Sequence, residues 1–141
     1  MPYRILLVED SRADIELTKF AFGELNTLTE ITVANDGVEA LEILDRQRTA
    51  NDGNYPDLII LDLGLPRMNG HEVLRHVKSN KEHEHLPVIV MSTTDQNGDI
   101  HRCYQLHASS FISKPVGMDA YRKIARTIEK YWLDSVTLPS C

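Results

Sequence analysis

Short apolar runs recur along the chain and alternate with longer segments in which apolar residues follow a helical spacing. Continuous apolar runs lie at 5–8, 58–61 and 88–91. Such runs are typical of strands in a parallel sheet that is covered on both faces. A further strand is predicted at 30–34, where Ile31 and Val33 alternate with polar residues, and this alternation indicates an edge position. A short last strand is predicted at 109–113.

Helices are predicted between these strands, because apolar residues recur there at i, i+3 and i+4. They cover about 11–25, 37–48, 70–77, 96–107 and 118–133. Strand and helix alternation with right-handed crossovers predicts an α/β fold, a doubly wound five-stranded parallel sheet of flavodoxin-like type with strand order 2-1-3-4-5. For a chain of 141 residues we expect a single domain at 1–133, followed by a tail at 134–141.

Composition excludes several classes of protein. Acidic residues exceed basic ones by 21 to 15, which argues against a nucleic-acid or anionic-membrane surface. The first apolar run reaches Glu9 after too few residues for a signal peptide or a membrane span. Cys103, in a predicted helix, and Cys141, at the last position, give no disulfide framework. We therefore expect a soluble, cytoplasmic protein with neither nucleic-acid nor membrane partners.

Polar side chains follow the strands at the points where the strands end. In chain order they are Glu9, Asp10, Asp62, Ser92 and Lys114. Because the carboxyl ends of parallel strands meet at one edge of a sheet, we predict that these residues converge. Three clustered carboxylates repel one another unless a cation neutralises them. Oxygen ligands completed by water suit Mg²⁺ or Mn²⁺ rather than Zn²⁺.

A carboxylate beside such a cation is a nucleophile toward a phosphoryl group, which would give an aspartyl phosphate at Asp62. The Lys114 ammonium and the Ser92 hydroxyl would stabilise the phosphoryl oxygens. Pro115 restricts Lys114 to extended backbone and permits a cis bond that would turn the ammonium inward. A lone Asp at a strand end is as often a helix cap, so the prediction of phosphoryl transfer rests on the combination.

This constellation, together with Asp-Leu-Gly-Leu-Pro-Arg-Met-Asn-Gly at 62–70, resembles the receiver domain of two-component response regulators over almost the whole chain. The resemblance implies that Asp62 is the phosphoacceptor and takes its phosphoryl group from a histidine kinase. It also implies a Mg²⁺ site formed by Glu9, Asp10, Asp62 and the Gly64 carbonyl. Proteins of this family catalyse their own phosphorylation and dephosphorylation, and we do not expect an enzyme that acts on a separate substrate.

The same resemblance assigns a switch. Ser92 matches the switch hydroxyl and Phe111 the switch aromatic, which together remodel the face formed by the fourth helix, the fifth strand and the fifth helix. Ser92 stands where threonine is more frequent, and Gly64 lacks the usual side chain two residues after the phosphoacceptor. Serine keeps the hydroxyl and glycine keeps the carbonyl, so both departures leave the required groups in place. With Thr94 nearby, these two departures do not determine how long the aspartyl phosphate persists.

A narrower resemblance concerns the end of the chain. The segments 128–133 and 136–139, with the polar loop at 49–55, resemble the stand-alone regulators that partner bacterial and cyanobacterial phytochromes. The resemblance implies a light-sensing histidine kinase upstream and no output domain.

Apolar residues at the C-terminal end predict an interface. We expect the core to contain Tyr121, Ile124, Ile128 and Tyr131. An isolated domain would expose a second group, namely Trp132, Leu133, Val136 and Leu138. We therefore predict a homodimer in which the last helix and the tail at 134–141 pack on the other subunit.

The remaining polar residues predict no further site. The six histidines, among them His71, His83 and His85, form no metal motif, and we expect all of them at the surface with the charged segment 78–85. A haloacid-dehalogenase phosphatase would carry its second acid where Gly64 stands, and a flavodoxin would have a Ser/Thr-rich loop after the first strand. A phosphorylation-independent interaction module with the same fold is the alternative function.

Overall fold

The computed structural model describes residues 2–94 and 96–139, and Cys141, predicted to be unpaired, lies outside this part with Met1, Asp95 and Ser140. The strands are β1 (Tyr3–Val8), β2 (Thr29–Ala34), β3 (Leu58–Leu61), β4 (Val88–Ser92) and β5 (Ser110–Ser113). The helices are α1 (Arg12–Gly23), α2 (Gly37–Ala50), α3 (Gly70–Ser79), α4 (Asn97–Gln105) and α5 (Met118–Ile128), which continues as a π-helical segment, Glu129–Ser135. Within the described residues the strands form one parallel sheet in the order β2-β1-β3-β4-β5, which confirms the predicted fold.

Apolar layers cover both faces of the sheet, because successive residues of a strand point to opposite faces. On β3, Ile59 and Leu61 pack with residues of α2 and α3, whereas Leu58 and Ile60 pack with residues of α1 and α5. Burial is continuous along β3 and β4 but alternates along most of β2, which lies at the edge as predicted. The carboxyl ends of β1, β3 and β4 therefore meet in the middle of one edge.

Side-chain caps begin the helices that frame this edge. The Ser11 hydroxyl accepts a hydrogen bond from the Asp14 backbone N–H (3.3 Å), and the Asn69 side chain accepts one from the Glu72 N–H (3.0 Å). Such caps satisfy backbone donors that the first helical turn leaves free. Since α1 begins directly after the acids that follow β1, its first turn lies beside the strand ends. No helix in the described part of the chain is both long and apolar enough to cross a membrane.

The C-terminal end of the chain differs from the prediction. Tyr131, expected in the core, is 56% exposed, and Leu133, expected at the surface, is 3% exposed. The cause is the π-helical segment, whose i→i+5 hydrogen bonds bring Leu133, five residues after Ile128, onto the buried face. The Tyr3 hydroxyl also donates to the Leu133 carbonyl (2.8 Å). The other residues expected to be exposed are half-buried, namely Trp132, Val136 and Leu138.

His83 is a second correction, because its side chain is buried with 2% exposure rather than placed at the surface. Its Nε2 lies 2.8 Å from Asp45 Oδ1 on α2, and its Nδ1 lies 2.6 Å from the Tyr55 hydroxyl. The rings of His83 and Tyr55 stack with centroids 5.7 Å apart. Both ring nitrogens are therefore paired, as a buried imidazole requires. The segment 78–85 is thus tied to α2 and to the loop before β3, and is not merely a solvated connection.

Candidate functional site

Acidic side chains from two strand ends meet at the carboxyl edge of the sheet. In the described part of the chain, Glu9, Asp10 and Asp62 each offer an oxygen within 4.8 Å of the others. Val8 of β1 pairs with Leu61 of β3, so the residues that follow these two strands lie side by side. Glu9 and Asp62 are buried, whereas Asp10 is exposed and open to solvent. The structure therefore brings the three predicted acids together.

Lys114 reaches into this group from the end of β5. Its Nζ lies 2.7 Å from Glu9 Oε1, 2.9 Å from Asp14 Oδ2 and 3.3 Å from Asp62 Oδ2, and its side chain is 8% exposed. No described peptide bond is cis, so the bond between Lys114 and Pro115 is trans. The ammonium points inward because three carboxylates surround it, and a cis bond is not required.

The pKa values in this cluster reflect burial and opposite charge together. Burial raises the pKa of Glu9 above its usual value, and the Asp62 charge adds to this shift, although Lys114 opposes it. Burial alone would lower the pKa of Lys114, but its carboxylate partners raise it, so the lysine keeps its charge. Burial would likewise raise the pKa of Asp14, yet the Lys114 ammonium holds it below the usual range. Four acids against one ammonium leave an excess of negative charge, which favours a bound cation.

The donor atoms of the cluster fit a hard divalent cation. The three clustered acids offer carboxylate oxygens, the ligands that Mg²⁺ and Mn²⁺ prefer, and solvent reaches the site at Asp10. The single Lys114 ammonium compensates the buried charges of Glu9 and Asp62 only in part, and the remainder is costly because a charge removed from water needs a partner. A divalent cation would supply that partner.

An open cleft of about 430 Å³ borders Asp62, and Ser92, at the end of β4, also lines it. Ser92 is buried, and the adjacent Thr94 hydroxyl donates to Asp99 Oδ2 (2.9 Å). Gly64 lines the same cleft, and its N–H donates to Asp62 Oδ1 (3.4 Å). The Asp62 carboxylate therefore borders a space in which a small polar group can bind.

Phe111 lies on β5, three residues before Lys114. It is half-buried and packs against the apolar layer that contains α2 and α3, while its N–H donates to the Tyr104 hydroxyl (3.0 Å). This placement links β5 to α4, of which Tyr104 is part. A switch role for Phe111 remains a prediction.

Asp14 is a member of the site that the sequence pattern did not predict. An acid in the first turn of a helix has an ordinary explanation, since it interacts favourably with the helix dipole. A signal was nevertheless present, because Asp14 follows Asp10 by four residues, and a helix starting at Arg12 turns position 14 back toward the strand ends.

Gly70, the first residue of α3, ends the segment 62–70 that carries the family resemblance, but the sequence did not predict its steric role. A Cβ atom at Gly70 would lie 2.4 Å from the Asp62 carbonyl oxygen and 2.5 Å from Leu63 Cα. Its N–H donates to the Leu63 carbonyl (2.9 Å). Glycine is therefore required for the loop that follows Asp62 to close against α3.

Comparison with known proteins places this geometry in a family. Residues 5–126 match the response regulator receiver domain model. The response regulator Rcp1 of Synechocystis sp. (strain ATCC 27184 / PCC 6803 / Kazusa) is 35% identical over 139 residues, which cover 99% of this chain and 95% of Rcp1.

Solved structures agree with the family match. The crystal structure of the phosphorylated cyanobacterial phytochrome response regulator RcpA is 37% identical, with a TM-score of 0.91 and coverage of 99% of this chain and 100% of RcpA. The Mn²⁺-bound form of Rcp1 is 35% identical, with a TM-score of 0.88 and coverage of 99% and 100%. On the family match and on these relatives, the chain belongs to the response regulator receiver domain family.

Proposed function

We propose that this protein is a phosphorylation switch in which Asp62 accepts a phosphoryl group from a phosphohistidine of a histidine kinase. One observation carries the proposal. The Asp62 carboxylate is a member of the acid cluster, lies 3.3 Å from the Lys114 ammonium, and lines the open cleft. In the transfer, an Asp62 oxygen bonds to phosphorus, the P–N bond of the phosphohistidine breaks, and the imidazole nitrogen keeps the electron pair.

The residues around Asp62 bind and orient the phosphoryl group. The Lys114 ammonium offsets negative charge on its oxygens, and the Ser92 hydroxyl donates a hydrogen bond to one of them. The ligands of Mg²⁺ or Mn²⁺ would be Glu9, Asp10, Asp62 and the Gly64 carbonyl. When bound, such a cation neutralises charge that develops during phosphoryl transfer. The pocket acts on its own Asp62 and not on a separate substrate. It also catalyses the later hydrolysis of the aspartyl phosphate.

Phosphorylation is then transmitted through β4 and β5. The Ser92 hydroxyl moves toward the phosphoryl group, and the half-buried Phe111 ring follows and changes the face formed by α4, β5 and α5. Support comes from the pairing of the two strands, because Ser92, the last residue of β4, lies opposite Ser113, two residues after Phe111 on β5. The kinase in this proposal is of the phytochrome type, and its support is the similarity to RcpA and Rcp1 over nearly the whole chain.

Intact mass spectrometry tests the proposal. After incubation with Mg²⁺ and acetyl phosphate, the protein should gain one phosphoryl group, and EDTA should prevent the gain because the acid cluster then lacks its cation. A phosphorylated phytochrome-type histidine kinase should serve as a second donor. No gain in mass with either donor would contradict the proposal and favour a phosphorylation-independent interaction module.

We further propose a homodimer in which the last helix and the tail at 134–141, described up to residue 139, pack on a second copy. A surface groove of about 380 Å³ runs between β5 and the end of α5, and apolar side chains line it, namely Ile112, Ile128, Tyr131 and Trp132. The rings of Tyr131 and Trp132 meet edge to face at 5.3 Å. Strand β5 is an edge strand, so its outer side can pair with another chain.

Light scattering at micromolar concentration should show a dimer, and Tyr131→Glu should raise its dissociation constant at least about 30-fold, as expected for an interface aromatic. Phe20→Glu is the matched control, because Phe20 is equally exposed but lies on α1, outside the set of residues that line this groove. A monomeric wild type, with and without phosphorylation, would exclude this interface.

A further inference from the structure

Asp14 joins three elements of the fold through its two carboxylate oxygens. Asp14 lies in the first turn of α1, and its Oδ2 is 2.9 Å from Nζ of Lys114, the residue that follows β5. Its Oδ1 accepts a hydrogen bond from the Tyr121 hydroxyl on α5 (3.0 Å). Tyr121 and the side chain of Lys114 are both buried. Each oxygen of Asp14 is therefore engaged by a different buried donor.

The backbone of Asp14 is also held. Its N–H donates to the Ser11 hydroxyl, and its carbonyl accepts from the Thr18 hydroxyl (2.7 Å). Hydrogen bonds at N–H, carbonyl and both side-chain oxygens leave Asp14 little freedom to move. A side chain fixed in this way can fix its partner.

Lys114 has three N–H donors and three carboxylate neighbours, Glu9, Asp14 and Asp62. Glu9 and Asp62 belong to the acid cluster that fits a cation, whereas Asp14 does not. When Glu9 binds a cation and Asp62 carries a phosphoryl group, both change their contacts with Lys114. Asp14 is the third carboxylate neighbour of Lys114, and its contact need not change. Without Asp14, the ammonium would be drawn toward Glu9, its nearest partner at 2.7 Å.

We propose that Asp14 is a positioning residue for phosphoryl transfer, that it holds the Lys114 ammonium beside Asp62, and that Tyr121 orients it. The inference rests on the proposed function, since it assigns a role within the same pocket. It predicts that the charge of Asp14 matters more than its shape, and that its effect passes through Lys114.

The first measurement needs neither cation nor phosphodonor. Hydrogen exchange of the Lys114 ammonium, followed by ¹⁵N NMR on the metal-free protein, should be slow in the wild type. It should become about tenfold faster in Asp14→Asn, which loses a charge-assisted hydrogen bond but keeps the side-chain shape. Tyr121→Phe keeps the Asp14 charge and should change the rate by about twofold. Unchanged exchange in a folded Asp14→Asn would overturn the inference.

The second measurement is the rate of phosphorylation by acetyl phosphate with Mg²⁺. Asp14→Asn should lower the maximal rate about tenfold, as expected for one lost charged hydrogen bond, without raising the donor concentration needed for half the maximal rate. In a Lys114→Met background the same change should cost less than about twofold, because coupled residues are not additive. An equal loss in both backgrounds would show that Asp14 does not act through Lys114, and would overturn the inference.

These measurements separate the inference from the proposed function. A wild type that gains no phosphoryl group overturns the proposed function and, with it, the role of Asp14 in phosphoryl transfer. The exchange rates then still show whether Asp14 holds Lys114. If Asp14→Asn does not fold, as circular dichroism would show, Tyr121→Phe carries the test, and an exchange rate of the Lys114 ammonium equal to that of the wild type overturns the inference.

Discussion

Replacing Asp62 with Asn is expected to abolish covalent phosphorylation while the fold is kept. Asparagine fills nearly the same volume at the end of β3, but its amide oxygen is not a nucleophile toward phosphorus. The wild type should gain one phosphoryl group in intact mass spectra after incubation with Mg²⁺ and acetyl phosphate, and Asp62→Asn should gain none. Circular dichroism and thermal unfolding should show that the variant is folded.

Asp52→Asn is the matched control, because Asp52 lies exposed in the loop before β3, away from the acid cluster. It should be phosphorylated like the wild type. A phosphoryl group gained by Asp62→Asn would show that another residue accepts it. The exposed carboxylate of Asp10, in the same cluster, would then be the first residue to examine by peptide mapping.

Gly70→Ala is expected to lower the free energy of unfolding by about 2–3 kcal/mol, in the range of overpacked sites. The new Cβ would lie 2.4 Å from the Asp62 carbonyl oxygen and 2.5 Å from Leu63 Cα, so backbone rather than a flexible side chain must move. Urea unfolding followed by circular dichroism measures the change. Because the displaced backbone carries Asp62, the phosphorylation rate should fall as well.

Gly64→Ala provides the comparison within the same loop. Beyond its two chain neighbours, a Cβ at Gly64 would meet no atom of the described residues within 4 Å, and Gly64 is exposed. Its free energy of unfolding should stay within about 0.5 kcal/mol of the wild type, as for an unconstrained surface site. Equal destabilisation at both glycines would mean that loop flexibility, and not the close contact at Gly70, determines the cost.

The sequence predicted those features that depend on periodicity and on chain order. Continuous apolar runs gave β1, β3 and β4, and the alternation at Ile31 and Val33 gave the edge strand β2. The convergence of Glu9, Asp10 and Asp62 also followed, since parallel strands with right-handed crossovers present their carboxyl ends at one edge. These rules concern the backbone, and they hold whatever the packing details.

The features that depend on packing between distant segments came from the tertiary structure. The partners of Asp14 are 100 or more residues away, at Lys114 and Tyr121, and a pattern within α1 does not show them. The burial of His83 depends on Asp45 and Tyr55, which other elements supply.

Leu133, and not Tyr131, lies on the buried face because the hydrogen bonding changes locally from α-helical to π-helical, which apolar spacing does not predict. The sequence by itself thus determined the elements, their order and the edge at which the acids meet. The tertiary structure alone decided how Lys114 is held there, because an ion pair forms only where the fold brings its members, from the ends of β1, β3 and β5 and from α1, within a few ångströms.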